Sequence, residues 1–151
     1  MILLDICFLN SDHERRYKDY CNRAHIYPDD RERKAMFYIM AGSNDLISKG
    51  INNFYNFKEN IVKFSPGPEE MEQDFEKFSF CTSSRALTML ALNLYNSGYS
   101  SLSVSDTFSY LDGDNMRLAM EAIKLRFNIS LTAIEADPQE AIEQKIKNCL
   151  N

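Results

Sequence analysis

The chain has 151 residues, of which 22 are acidic and 17 basic, for a formal net charge of −5. This length can bury one ordinary hydrophobic core without disulfide or metal staples, and a composition 44% apolar and 26% charged excludes a disordered or low-complexity chain. The acidic balance argues against non-specific nucleic-acid binding, which rests on positive charge displacing phosphate counterions, and leaves room only for a local basic patch.

The opening Met1-Ile2-Leu3-Leu4-Asp5 is apolar but has no charged lead and is cut short by Asp5. It reads as a first strand or a helix lead-in, not as a signal peptide or membrane span, which predicts a cytoplasmic protein. Ser11-Asp12-His13-Glu14 has the form of a capping box, and the helix behind it places Tyr17, Tyr20, Cys21 and Ala24 on one face. Pro28 with Asp29 and Asp30 opens a second helix whose acidic first turn suits the positive end of its dipole. Its body, Ala35 to Ala41, is apolar nearly all round and predicts a central, buried helix. Gly42 stops that helix, and Ser43 restarts a short one that ends at Gly50.

The stretch from Ile51 to Phe64 mixes large apolar residues with asparagines and lacks clean alternation, which predicts short helical turns instead of a hairpin. Ser65-Pro66-Gly67-Pro68 is the clearest break in the chain. The acidic run Glu69 to Glu76 that follows is either a short exposed helix or a mobile loop. Thr82-Ser83-Ser84 starts a strong helix with Leu87, Leu90, Ala91, Leu94 and Tyr95 inward and Gly98 closing it. Ser103 and Asp106 are spaced for another capping box. Asp112 or Asp114 begins a long helix with an inward set of Met116, Ala119, Met120, Ile123 and Phe127. Asp137-Pro138-Gln139-Glu140 starts a last helix, about 138–149. With no internal repeat and no long linker, the prediction is one all-α domain over residues 1–151. It has six or seven helices, with irregular or extended pieces near the N-terminus and around 51–80.

Motifs that carry chemistry are scarce. Cys7, Cys21, Cys81 and Cys149 are scattered without a C-x-x-C pair, the pattern of small buried hydrophobes in a reducing compartment. His13 and His25 are the only histidines, and Tyr17 stands where an H-E-x-x-H zinc pattern would need its second histidine; His13 is expected to be solvent-exposed or locally bonded. Asp112-Gly113-Asp114-Asn115 fails as a calcium loop, because its glycine comes second and Ile123 occupies the position of the bidentate glutamate. No phosphate-binding glycine motif is present, and no metal or cofactor is implied.

Three surfaces remain. Cys81-Thr82-Ser83-Ser84-Arg85 offers a helix start, hydroxyls, a thiol and a guanidinium that could together hold a small anion, although the Cys–Arg spacing is too short for a cysteine-phosphatase loop. Arg15, Arg16, Arg23, Arg31 and Arg33, with Lys18 and Lys34, could form a basic face for nucleic acid, but acidic residues at i, i+4 spacing favour salt-bridged solvated faces. Glu69, Glu70, Glu72 and Asp74, with Phe75 among them, could imitate a nucleic-acid phosphate line and anchor on a basic partner.

Several ordered blocks also carry a family likeness: Phe8 to Tyr17, Arg33 to Gly42, Asn44-Asp45-Leu46, Thr82-Ser83, Leu90 to Asn96 and Ala122 to Phe127. Over residues 8–127 the chain resembles an uncharacterised family of small cytoplasmic proteins from Firmicutes and their phages or mobile elements. The resemblance implies a compact helical domain and brings no established activity or site residue. Phe80 stands near where such members carry a tryptophan, and the tail from Ile129 onward lies outside the likeness, as an added helix or an oligomer contact. The functional expectation is a non-enzymatic protein that binds a host protein, such as a nucleic-acid or defence enzyme, through residues 69–78. The alternatives are an anion binder or enzyme at Cys81–Arg85 and nucleic-acid binding through the basic face; homodimerisation stays open.

Overall fold

The computed structural model describes residues 5–129. Met1–Leu4, the expected helix at 138–149 and Cys149 lie outside them. Seven helices and a small hairpin make up the described residues, in agreement with the all-α expectation. No helix among them is long and apolar enough to cross a membrane.

Helix α1 (Ser11–Arg23) begins one residue earlier than its capping box suggested. Asn10 is extended and its Oδ1 accepts from the His13 amide at 2.9 Å, so Asn10 and not Ser11 is the cap. Helix α2 (Arg31–Gly42) is capped by Asp30, whose Oδ1 accepts from the Arg33 amide at 3.0 Å. Every residue from Ala35 to Ala41 is at most 1% exposed, and α1 packs on α2. A helix apolar on all sides is stable only when enclosed.

Gly42 does not stop α2 by a left-handed turn; it is the last helical residue, and the Ser43 amide still bonds Ile39 O at 2.9 Å. Its value lies in close approach. A Cβ there would sit 2.4 Å from Leu118 Cδ2 and 3.1 Å from His13 Nε2. Leu118 is fully buried and has little freedom to withdraw. Gly42→Ala gains up to about 1 kcal/mol of helix propensity and loses about 1–3 kcal/mol to overpacking. The expected net loss of about 1 kcal/mol appears as a lower urea midpoint; an unchanged or raised midpoint would show that Leu118 adjusts freely.

Helix α3 (Asn44–Lys49) ends at Gly50, whose φ of +84° is a conformation side chains disfavour. Ser43 precedes α3 but makes no side-chain cap bond. The next stretch departs from expectation. After a 3-10 turn (Ile51–Asn53), β1 (Tyr55–Asn56) pairs antiparallel with β2 (Ile61–Val62), Tyr55 opposite Val62. The asparagines that obscured the pattern build the turn: Asn56 Oδ1 accepts from the Lys58 and Glu59 amides at 3.0 and 3.2 Å, and Asn60 takes a φ of +54°. Arg33 fixes the hairpin to α2 by donating to Tyr55 Oη at 3.1 Å and Asn60 O at 3.3 Å while paired with Asp30 at 2.8 Å.

Four helices follow: α4 (Pro68–Lys77), α5 (Thr82–Tyr95), α6 (Val104–Phe108) and α7 (Gly113–Phe127). Both α5 and α7 pack on α2. The inward set of α5 is as expected, with Tyr95 half-buried, but Asn96 is its C-cap and Gly98 lies in the turn beyond. The capping box of α6 is present: Ser103 Oγ accepts from the Asp106 amide at 3.0 Å and donates to Asp106 Oδ2 at 2.6 Å. Asp112 caps α7 through the Asn115 amide at 2.9 Å.

The inward face of α7 needs correction. Leu118, Ala119, Ala122 and Leu125 are buried, whereas Met120 and Phe127 are 47% and 57% exposed and Met116 and Ile123 half-buried. Two apolar rows run along this helix, and the inner one is disguised by Glu121. That buried carboxylate accepts from the Cys7 amide at 3.1 Å and pairs with Lys124 at 2.9 Å, which satisfies its charge inside.

Candidate functional site

The acidic run forms an ordinary amphipathic helix. Pro68 occupies its first turn, where a missing amide costs nothing, and Glu69 and Glu70 face the positive end of the dipole. Met71 and Phe75, one turn apart, are 3% and 2% exposed. Phe75 lies 5.6 Å from the Phe64 ring and 5.4 Å from the Phe80 ring. It is a core residue and not an exposed anchor, because helical spacing turns it to the same side as Met71, away from the carboxylates. Glu69, Glu70, Glu72 and Glu76 are exposed, and Asp74 is half-buried, with Oδ2 accepting from the Ser65 amide at 3.0 Å. Asp74 therefore ties α4 to the Pro-Gly connection before it.

Beside this row lies an apolar hollow of about 260 Å³ between α4 and α5. Pro66, Pro68, Met71 and Phe75 form one side, and Met89 and Tyr99 the other, with Glu72 also lining it. The far wall is fixed: Ser100 Oγ donates to Met89 O at 2.9 Å and Asn93 Nδ2 donates to Ser100 O at 2.9 Å. Glu72 is the one carboxylate at the hollow, and an apolar recess on an acidic helix can accept an apolar side chain flanked by cationic ones. The sequence marked the Pro-Gly break but had no signal for Met89 and Tyr99, which join the site only through the packing of α5.

The Cys81–Arg85 start adjoins α4. Glu72 forms an ion pair with Arg85, whose Nε also donates to Phe80 O at 3.2 Å. The Cys81 amide donates to Asp45 Oδ2 at 3.2 Å, and Asp45 pairs with Lys49 at 3.1 Å. Burial pushes the Asp45 carboxyl up, but hydrogen bonds from Ser84 and Cys81 outweigh it and leave it below its ordinary value. Cys81 is exposed, its Sγ 3.3 Å from both Ser83 Oγ and Ser84 Oγ, and these contacts lower the thiol from its usual range. Thr82 is exposed and Ser84 buried. The positive groups at this helix start thus already face the protein's own carboxylates, Asp45 and Glu72.

Most basic residues of α1 and α2 also have partners within the protein. Arg15 pairs with Asp12 at 2.9 Å, Lys18 with Glu14 at 2.5 Å and Arg23 with Asp19 at 3.5 Å. Arg16 donates to Ala41 O at 2.8 Å, and Arg33 faces the hairpin. Arg31 is exposed.

His13 is fully buried, so of the two expected roles, solvent-exposed or locally bonded, only local bonding is present. Nδ1 accepts from the Leu9 amide at 3.2 Å, so Nε2 carries the proton and donates to Tyr38 O at 2.8 Å. Burial lowers its pKa below the ordinary 6.5. The ring lines a polar hollow of about 200 Å³ with Asn10, Arg16, Asn44, Asp112 and Asp114, where the starts of α1, α3 and α7 meet. His25 is exposed with φ +49°.

Among the described residues, no group of three His, Cys, Asp or Glu side chains is placed to hold a metal ion. Neither the curated proteins nor the solved structures contain a match to the chain. A family model does match it, from residue 4 to residue 139 and so past both ends of the expected 8–127 core: the chain belongs to DUF6075, a family of unknown function.

Proposed function

We propose that the protein performs no chemistry of its own and works as an interaction module, binding a basic protein surface through α4 and the hollow beside it. The observation that carries this reading is the division of α4. Met71 and Phe75 lock one face into the core, so the carboxylates of Glu69, Glu70 and Glu76 are presented on a rigid helix next to an apolar recess. Fixed charges steer association and select partners of opposite sign. A chain carried by a phage or mobile element and working in the cytoplasm would turn such a surface on a host nucleic-acid or defence enzyme, whose cationic cleft is its complement.

The test is charge reversal confined to carboxylates that the fold does not use. E69K/E70K/E76K leaves Glu72 with Arg85 and Asp74 with Ser65, so the folded state should lose no more than about 1 kcal/mol at each of positions 69 and 70, where lysine opposes the helix dipole, and less than about 0.5 kcal/mol at position 76. Tagged wild-type protein should capture one partner from nuclease-treated host lysate. The triple variant should bind that purified partner at least tenfold more weakly, with the wild-type interaction weakening as salt is raised. Equal binding by both proteins would remove α4 from the interface.

A further inference from the structure

We propose, resting on the interaction reading of α4, that the hollow takes a helical segment of the partner, with one apolar side chain flanked by basic residues seven positions apart. Size selects a side chain over a free ligand. At about 260 Å³ the hollow is smaller than the roughly 300–1,000 Å³ of small-molecule sites. Pro68, Met71 and Phe75 on one side and Met89 on the other give it an apolar wall with few groups to orient a compact polar molecule. Methionine at two facing positions lets such a recess adapt to a leucine-sized group.

The spacing of the cations follows from α4 itself. Glu72 lines the hollow. Glu69, three residues before it, and Glu76, four after, lie on the same row of the helix. Both are exposed and, among the described residues, without an ion pair, whereas Glu72 between them is paired with Arg85. The rim therefore carries two unneutralised carboxylates seven residues apart, about 10 Å along the axis, on either side of a neutralised centre. A partner helix laid along α4 has the same rise per residue. Its basic residues at i and i+7 then meet Glu69 and Glu76 together, and the residue at i+4 turns to the hollow between them. This is helix-in-groove recognition with charges fixing the register. An extended segment would cover the same distance in about three residues, so the spacing separates the two forms.

A peptide titration tests the assignment. The full chain, labelled at its methionine methyl groups, is titrated at low salt with an alanine-based helical peptide bearing Lys at i and i+7 and Leu at i+4. The Met71 and Met89 methyl signals should shift and saturate, while those of Met36 and Met40, fully buried in α2, stay in place. Exchanging the peptide's leucine for alanine should weaken binding about tenfold or more. Moving its second lysine to i+5, on another side of the peptide helix, should weaken binding about threefold, and E69Q/E76Q should abolish that dependence on spacing. S101F, which crowds the hollow from an exposed position on its rim, should weaken the leucine peptide and leave the alanine peptide unchanged. Unshifted Met71 and Met89 signals, or binding indifferent to the leucine and to lysine spacing, would overturn the assignment. Equal or tighter binding by a proline-interrupted peptide with lysines at i and i+4 would overturn its helical form. Charge reversal measured with the captured partner decides the broader reading separately, so either can fail alone.

Discussion

Phe75→Ala lowers folding stability by about 3–5 kcal/mol, the usual cost of emptying a buried aromatic site. The ring is 2% exposed and wedged between Phe64 and Phe80, which themselves surround Phe54. Deleting it opens a void under α4 that neighbouring aromatic rings are too rigid to fill. Phe75→Leu, which retains most of the apolar volume, should cost clearly less. Denaturant unfolding with the slope held constant measures both changes. The comparison with Glu70→Lys is informative, because the two positions lie on opposite sides of one short helix. A Phe75→Ala loss below about 1 kcal/mol would mean that α4 is not docked as described. The hollow beside it would then lose its floor.

Replacing His13 produces the second large effect and gives the protein a pH signature. His13→Ala leaves the Leu9 amide without its acceptor and removes a ring packed 5.2 Å from Phe8 and 4.6 Å from Tyr38. An orphaned buried donor costs about 1–3 kcal/mol before lost packing is added, so a total of about 2–4 kcal/mol is expected. Protonation of the wild-type ring would point an N–H at the Leu9 N–H, and burial already disfavours the charge, so the folded pKa lies below 6.5. The unfolded chain takes up the proton near 6.5 and the folded chain does not. Stability from this group is therefore complete above pH 6.5 and falls as pH drops below it, until the lowered folded value is passed, with a limiting slope of about 1.4 kcal/mol per pH unit. Urea midpoints from pH 8 to pH 5 should show this fall in the wild type and a flatter profile in His13→Gln. Parallel profiles would assign the dependence to other groups.

These two positions also mark where the sequence was legible and where it was not. The buried body of α2 was readable because seven consecutive apolar residues admit no solvent face. The starts of α6 and α7 were readable because a cap acts within three residues of itself. Reading failed wherever the outcome depended on a distant partner. The ring of His13 turned inward because Leu9 and Tyr38 supply both of its hydrogen bonds. On α7, two apolar rows competed, and Glu121 concealed the correct one until Cys7 and Lys124 were seen to satisfy it. In the 51–64 stretch, a turn made by Asn56 and Asn60 and held by Arg33 broke the alternation that signals strands. At the candidate site, the acidic composition of α4 was plain, but the apolar recess needed α5 and the turn before Ser100. The Glu72–Arg85 pair also joined two stretches that looked unrelated in sequence.

The enclosure of α2 has a consequence for how the chain is made. Ala35 to Ala41 are covered by α1 upstream and by α5 and α7 downstream, so their last shelter lies at Leu118 to Leu125. During synthesis this apolar segment leaves the ribosome long before that shelter exists. At about 5–20 residues per second, the interval lasts several seconds, during which a nascent chain must keep this segment from sticking to others. A chaperone that binds short apolar stretches would find its natural target there, and release would become favourable only once Phe127 has emerged and α7 can close over α2.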